Sequence, residues 1–386
     1  MAYLWNSLRI RCFWANLMLA TWFYRTFLRP WLFCMDPEEA HELGQKLLPC
    51  TAGVNAVARA AIFDELAVSC LPLLQTSLAG RRLENPLGLA AGFDKTGRLV
   101  ENLADLGFGF AEIGSVTALS SRGNPKPRLF RLPDDAAAIN RLGLNGPGAE
   151  SVARRLAGRQ TTLPIAVNIA KTNRPLEGQA AVDDIVSSFR AIKHVRPIYV
   201  TINTSCPNTH EGALKETSEL EAILQAVQDE NIGLPLFLKL SPDLDEQLLT
   251  RFVEIAAKNR VAGFVCGNTT VSREGLSQPQ VANLIGNGGL SGRPLRDRSL
   301  QQVTKIAALK EAQQEIIACG GIESADDVFA VIAGGANCVQ LYTALVYHGP
   351  YLILEMLREM ALRLHAAGLC LTDLKGRPEL LPRLGG

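Results

Sequence analysis

PIYVTINTSCPN, residues 197–208, is an apolar run of strand length that ends on Asn203, Ser205, Cys206 and Asn208. It reads as a buried strand whose carboxyl end spills into polar and reactive side chains. The pattern recurs in NPLGLAAGFDK (85–95), GFAEIGSVT (109–117), LPIAVNIAK (163–171), LPLFLKLSPD (234–243), VAGFVCGNTT (261–270), EIIACGGI (315–322) and NCVQLYTAL (337–345). Between most of these runs lie amphipathic stretches such as GRLVENLADLG (97–107), ELEAILQAVQDE (219–230), DEQLLTRFVEIAAKN (245–259) and ESADDVFAVIAGG (323–335). Strand and helix therefore alternate from about residue 85 to 365, and eight such units predict an α/β fold of the (β/α)8 TIM-barrel type rather than an open doubly wound sheet. No GxGxxG opens a helix after the first strand and no GxxxxGK[ST] occurs, which argues against dinucleotide and P-loop sites.

The 386 residues are 47% hydrophobic and 20% charged, an ordinary globular composition with length for one large domain plus additions. Lys+Arg (39) and Asp+Glu (38) nearly cancel, and no basic run interleaved with aromatics appears, so no nucleic-acid partner is expected. The nine cysteines show no CxxC pair and no clustering with histidine, so neither a disulfide framework nor a metal site is indicated.

Residues 1–35 differ in kind: Arg9, Arg11, Arg25 and Arg29, no acid, and all four tryptophans (5, 14, 22 and 31). The uncharged run CFWANLMLATWFY (12–24) falls short of the ~20 residues a spanning helix needs, which favours an interfacial anchor or a targeting leader over a span. DPEEAHELGQKLL then carries an Asp cap and early acids ahead of helically spaced apolar positions. The expected organisation is an extension at 1–23, a helical segment at 24–76, the barrel at 77–366 and a tail at 367–386. Two connections, 118–150 and 271–300, are too long for plain barrel loops and are expected to shape the site.

In such barrels chemistry sits at the carboxyl ends of the strands. Here those ends offer Asp94, Lys95, Ser115, Asn168, Lys171, Asn203, Cys206, Asn208, Lys239, Asn268 and Thr269. A ring of asparagines suits a planar ligand with imide edges, and lysines suit an anionic or electron-rich one. Glycines at 288–292 and 320–322, with the turn at Tyr342 and Thr343, fall where barrels hold phosphate. Cys206, on a polar strand end before proline, is a candidate general base, whereas unpaired cysteines are ordinarily small buried hydrophobes. His210 is read as a solvent-exposed lid residue.

The blocks DPEEAHE, NPLGLAAGFDK, EIGSVT, NPKPRLFRL, INRLGLN, NTSCPNT, LKLSPDL, GNTTVSR, GGLSGRPLRD, ACGGI and VQLYTAL resemble the dihydroorotate dehydrogenases, within them the membrane-associated, quinone-linked class 2. The resemblance spans nearly all of residues 24–360. It implies FMN held by Ala91, Gly92, Phe93, Asp94, Lys95, Ser115, Asn168, Asn203, Lys239 and Gly267, with its phosphate at Gly292, Gly321, Tyr342 and Thr343. It implies a dihydroorotate site at Lys95, Asn140, Arg141, Leu142, Gly143, Leu144, Asn203, Asn208, Asn268 and Thr269. Cys206 would be the base, assisted by Lys95 and Lys239. Electrons would leave to a membrane quinone entering between amino-terminal helices, at a bacterial inner membrane (cytoplasmic face) or a mitochondrial inner membrane.

The chain departs from the family pattern in four places. Cys206 stands where class 2 ordinarily has serine, Leu144 replaces an aromatic residue, Gly267 replaces a Ser or Thr, and PNTHEGALKE alters the stretch after the motif. The alternatives are a paralogue that desaturates another cyclic amide or carboxylated substrate, and a non-catalytic flavin-binding protein.

Overall fold

Each of the eight apolar runs contains a strand in the computed structural model, which describes residues 20–66, 70–159, 161–204 and 217–385. The strands are β1 (Leu87–Leu89), β2 (Phe110–Val116), β3 (Ile165–Ile169), β4 (Val200–Asn203), β5 (Leu236–Leu240), β6 (Gly263–Cys266), β7 (Glu315–Cys319) and β8 (Cys338–Leu341). They pair in parallel in chain order and β8 returns to β1, so the barrel closes. Strands buried on both faces explain the near-continuous apolar runs. Register sets the level of the site: Asn203 pairs with Lys239 at the last rung of β4 and β5.

The lower end is plugged by a hairpin, Thr76–Leu78 with Arg81–Leu83, whose Leu78 and Leu83 pack on Phe110, Tyr199, Phe237 and Val265. At the upper end the two long connections meet each other. Leu129–Leu132, Ala137–Asn140 and Gly289–Gly292 form a three-stranded antiparallel sheet that places Asn140 opposite Gly289 and Ala137 opposite Gly292.

The helices expected at 219–230, 245–259 and 323–335 appear as Thr217–Asp229, Glu246–Lys258 and Ala325–Ala333. The stretch 97–107 does not become a full helix; only Val100–Leu103 is helical. The reason is Asp94, whose carboxylate accepts from the backbone N–H groups of Thr96, Gly97, Arg98 and Leu99 and folds them into a tight turn.

Asp36 caps the helix Pro37–Leu47, its Oδ1 accepting from Glu38 N at 2.9 Å and Glu39 N at 3.1 Å. Glu38 then ties this helix to the first long connection through a buried bidentate pair with Arg128, at 3.0 and 2.6 Å. The preceding segment docks through Tyr24 Oη to the Val346 carbonyl (2.8 Å) and Arg29 to the Tyr347 carbonyl (3.0 Å). Among the described residues no helix is long and apolar enough to cross a membrane. Trp22, Phe23, Phe27 and Trp31 are each about half exposed, at 52–54%. Most of the extension expected at 1–23 lies outside the described residues.

Candidate active site

The carboxyl ends of the strands open into a cavity of about 470 Å³ that continues between the barrel and the amino-terminal helices. That volume is in the range of small-molecule and cofactor sites. Ala91, Gly92, Phe93 and Lys95 line it from the loop after β1, Ser115 from β2, Asn203 from β4 and Lys239 from β5. Asn203 Nδ2 donates to Ser115 Oγ at 2.9 Å, and Thr204 Oγ1 donates to the Lys239 carbonyl at 2.9 Å, fixing the adjoining strand ends. Lys239 is only 4% exposed, so its amine belongs to the cavity and not to bulk water. Lys95 Nζ donates to Asn145 Oδ1, which joins the β1 loop to the first long connection.

That connection contributes Asn140, Leu142, Gly143 and Leu144 to the wall. Its path is held by Asn124, which donates to the Arg141 carbonyl at 3.0 Å, and by Asn173, which donates to the Gly143 carbonyl at 3.2 Å. Leu144 is buried in the left-handed region, φ 54°. Asn268 and Thr269 enter from the loop after β6, which Asp243 pins by accepting from Val271 N (2.9 Å), Thr270 Oγ1 and Arg298 (3.2 Å).

At the far end lie Gly292, Gly321, Tyr342 and Thr343. A side chain at Gly321 (φ 72°) would run into the Arg296 backbone nitrogen, so only glycine keeps this turn close against its neighbour. Glu323, in the same wall, binds Arg293 and Arg296 (2.6 and 3.0 Å) and His348 (3.3 Å). Burial raises its carboxyl pKa, but His348 and Arg293 outweigh this and bring it to about 2.

Asp94, Arg141, Asn168 and Gly267 are not in the cavity wall. Asp94 shapes the turn described above. Arg141 reaches away, to the carbonyls of Ile285 (2.7 Å) and Asn287 (3.0 Å), and clamps the two long connections together. Asn168 is fully buried within the barrel, and Gly267 (φ 113°) lies against the Cys319 carbonyl where a side chain would collide. Cys206, Asn208 and His210 lie outside the described residues. Cys319 does line the cavity; burial raises its thiol pKa, and the Glu112 charge adds to that against the opposing effect of Lys239.

Sequence reading missed two groups. One is the set of polar side chains in the second arm of the cavity, in the amino-terminal region where a quinone is expected to enter: His41, Gln45, Arg131 and Tyr24 stand there among apolar side chains, and the polar pair His41 and Gln45 at helical spacing was its visible signal. The other is Glu112, a fully buried acid in β2 that accepts from Asn168, Tyr199 and Gln340. A lone carboxylate inside an apolar strand could have marked it.

A polar rim of amides and lysines over a closed parallel barrel, with a glycine turn at one end, is the arrangement of a (β/α)8 enzyme that holds an anionic cofactor or substrate. Comparison with known proteins narrows this. A family model described as dihydroorotate dehydrogenase matches residues 73–364, and the chain belongs to the dihydroorotate dehydrogenase family. It is similar to dihydroorotate dehydrogenase (quinone) of Gloeobacter violaceus, 41% identical over 343 residues, 88% of this chain and 94% of that protein. The dihydroorotate dehydrogenase (quinone) of Mycobacterium tuberculosis is 40% identical over 342 residues, again 88% and 94%. Among solved structures, the DHODH of Eimeria tenella in complex with ferulenol superposes with a TM-score of 0.75 at 29% identity, covering 88% of this chain and 95% of that one.

Proposed function

We propose that this protein oxidises (S)-dihydroorotate to orotate in pyrimidine biosynthesis, with FMN at the strand ends and a membrane quinone as electron acceptor. The observation that carries this reading is the convergence of Lys95, Asn140, Asn203, Asn268 and Thr269 on one cavity that also holds Lys239 and the Gly292 and Gly321 turns. Amide groups on several sides can pair with both imide edges of a pyrimidine, and the ammonium of Lys95 suits its carboxylate.

The residues fit FMN. The turn at Gly321 is held so tightly that a methyl group would fill it, and backbone N–H groups at such turns bind phosphate oxygens. Lys239, shut from bulk water, would offer positive charge to an electron-accepting ring that gains negative charge on reduction. FMN, when bound, supplies the hydride acceptor for C6 of the substrate. The chain's own part is to orient the ring through Asn140, Asn203, Asn208, Asn268 and Thr269, and to remove the C5 proton with Cys206. Tyr342 remains a neutral phenol because burial raises its pKa.

The second arm of the cavity, walled by Leu28, Leu32, Leu48 and Leu345, suits an apolar acceptor with a carbonyl head. The half-exposed tryptophans and phenylalanines at 22–31, together with Arg25, suit a membrane surface, where aromatic rings and arginine settle at the headgroup level.

Anaerobic mixing of the detergent-purified protein with dihydroorotate tests the reading. Flavin absorbance is expected to bleach, then recover on addition of a ubiquinone analogue. A flavin that is reduced by dithionite but not by dihydroorotate would assign the site to another cyclic amide, with Leu144 and residues 209–216 as the changed positions.

A further inference from the structure

We propose that Arg128 is a positioning residue for dihydroorotate, and that Glu38, by supplying its counter-charge, makes the amino-terminal helix part of the substrate site. The inference rests on the functional reading above and concerns the first half-reaction, in which no electron acceptor takes part.

Neither residue stands in the cavity wall. What the first long connection turns toward the cavity is Asn140, Leu142, Gly143 and Leu144. Residues 141–143 belong to no helix or strand, and a second turn of the same connection holds their backbone. The Arg141 N–H donates to the Arg128 carbonyl at 2.8 Å, and the Asn124 N–H donates to the Leu142 carbonyl at 3.1 Å. Asn124 Nδ2 also donates to the Arg141 carbonyl at 3.0 Å, while Asn173 Nδ2 reaches both the Gly143 carbonyl and Asn124 Oδ1 at 3.2 Å. Asn124 thus supports the substrate wall from behind.

Asn124 in turn is set by Arg128. The guanidinium Nη1 donates to the carbonyls of Arg122 (2.6 Å) and Asn124 (2.8 Å), so residues 122–124 curve around it. Gly123 lies so close between Nη1 and the Leu142 carbonyl that a side chain there would collide with both. The Nε and Nη2 edge of the same plane is filled by the Glu38 carboxylate, at 3.0 and 2.6 Å. One rigid, planar group therefore fixes the helix Pro37–Leu47, the turn 122–124 and, one hydrogen bond further, the wall at 141–143.

Mere attachment of the helix does not call for charge. An apolar pair of similar volume ties two elements at least as firmly, because ions taken out of water return little net stability. It cannot hold two carbonyls in register with a third partner. Both groups are buried, Glu38 at 8% exposure and Arg128 at 7%. The hydrogen bond from Arg128 holds the Glu38 carboxyl below its usual pKa, with burial opposing and the charges of Arg128 and Lys126 assisting, so the acid stays ionised. Lysine at 128 keeps the charge and loses the planar set of donors. Glutamine at 38 keeps the shape and leaves a buried cation without its anion. Each substitution releases Asn124, and with it the wall.

Anaerobic single-turnover bleaching of the holoenzyme by dihydroorotate separates the apparent Kd of the substrate from the limiting rate. Arg128→Lys and Glu38→Gln are expected to raise that Kd about tenfold, set against the ~10²-fold that a 1 Å misplacement can cost. The limiting rate and the flavin content are expected to stay at wild-type values, the pattern of lost ground-state binding. Lys126→Gln, which removes the outer ion-pair partner of Glu38 at 3.5 Å and leaves the clamp whole, is expected to change nothing. A melting temperature that falls in both variants at a wild-type Kd reduces the pair to a structural tie and overturns the inference. So does a Kd that rises equally in Lys126→Gln, or one that rises only in step with lost flavin.

The wild type supplies a measurement that needs no variant. Saturating orotate is expected to slow amide hydrogen exchange over residues 37–47 as well as 122–144, because a helix that steadies the substrate wall is steadied in return by what the wall binds. Protection at 122–144 with 37–47 left at its unliganded rate overturns the inference. A wild-type flavin that dithionite reduces and dihydroorotate does not overturns the functional reading beneath it, a result seen before any variant is made.

Discussion

Glu112 Oε1 accepts a hydrogen bond from Asn168 Nδ2 at 2.7 Å in the interior of the barrel, and this contact decides which way the asparagine amide faces. The other oxygen, Oε2, accepts from Gln340 Nε2 at 2.6 Å and from Tyr199 Oη at 3.0 Å. Burial, with the Glu112 charge adding, holds the Tyr199 phenol well above its usual pKa, so it stays a donor. A carboxylate only accepts, so both amides must present N–H to it. Asn168 Oδ1 and Gln340 Oε1 are thereby turned away, shut from water and without a partner.

Replacing Glu112 with leucine leaves Asn168 Nδ2 and the hydroxyl proton of Tyr199 as buried orphans, while Gln340 Nε2 keeps its bond to Tyr199 Oη at 3.2 Å. At about 1–3 kcal/mol for each unsatisfied buried group, the expected loss is roughly 2 kcal/mol or more. Glu112→Gln still offers one accepting oxygen and is expected to lose about half as much. Urea unfolding reads both as a fall in midpoint at constant slope; a Glu112→Leu midpoint equal to wild type would show that the network contributes nothing to stability.

Gly321→Ala is directed at the end of the cavity where the phosphate of FMN is proposed to bind. The residue sits at φ 72°, and its new methyl would meet the Arg296 backbone nitrogen, so the turn must open. A non-glycine residue in this region also costs roughly 1–2 kcal/mol. The barrel, whose core lies elsewhere, is expected to fold, while FMN affinity drops at least about tenfold, the equivalent of 1.4 kcal/mol. The flavin-to-protein ratio after gel filtration and titration of the apoprotein with FMN check this; full retention of flavin would move the phosphate to another turn.

How far the sequence reveals this protein can be read from these residues. The barrel was legible because a parallel strand buried on both faces leaves a near-continuous apolar run, and all eight runs carried that mark. The extent of the helix after β1 was not, because one carboxylate, Asp94, captures four consecutive N–H groups, a local competition that periodicity does not register. Glu112 was visible as an acid in GFAEIGSVT, but Asn168, Tyr199 and Gln340 lie 56, 87 and 228 residues away, and only barrel closure brings them together. Likewise the spacing of His41 and Gln45 is in the sequence, whereas their shared partner is a backbone carbonyl, which no side-chain pattern encodes.

Glu323 makes stability depend on pH. Its carboxyl has a pKa of about 2 in the folded chain against 4.5 as the ordinary value, so the folded state favours the ionised form. That contribution is fully present above about pH 4.5 and is lost as pH falls from there toward 2. Glu323→Gln removes the ion pairs with Arg293, Arg296 and His348 at every pH. The melting temperature of the variant is expected to lie below wild type at pH 7 and to converge on it as pH falls below 4.5. A gap that stays constant down to pH 3 would assign the effect to packing and not to charge.

Cys206 carries the last prediction, because a cysteine base and a serine base differ in the pH at which they work. A thiol has an ordinary pKa of about 8.5, far below that of a hydroxyl, and only the thiolate removes a proton. Cys319, which lines the cavity, is the poorer base, since burial raises its pKa and disfavours its thiolate. Cys206→Ala is therefore expected to lower the rate of flavin bleaching by dihydroorotate by about 10²–10⁴-fold, the usual worth of a general base, with FMN still bound. Cys206→Ser is expected to retain activity that rises only at higher pH than in wild type. Single-turnover bleaching across pH 6–10 separates the cases: a fully active alanine variant removes Cys206 from the chemistry, and coincident profiles for cysteine and serine place the controlling ionisation on another group.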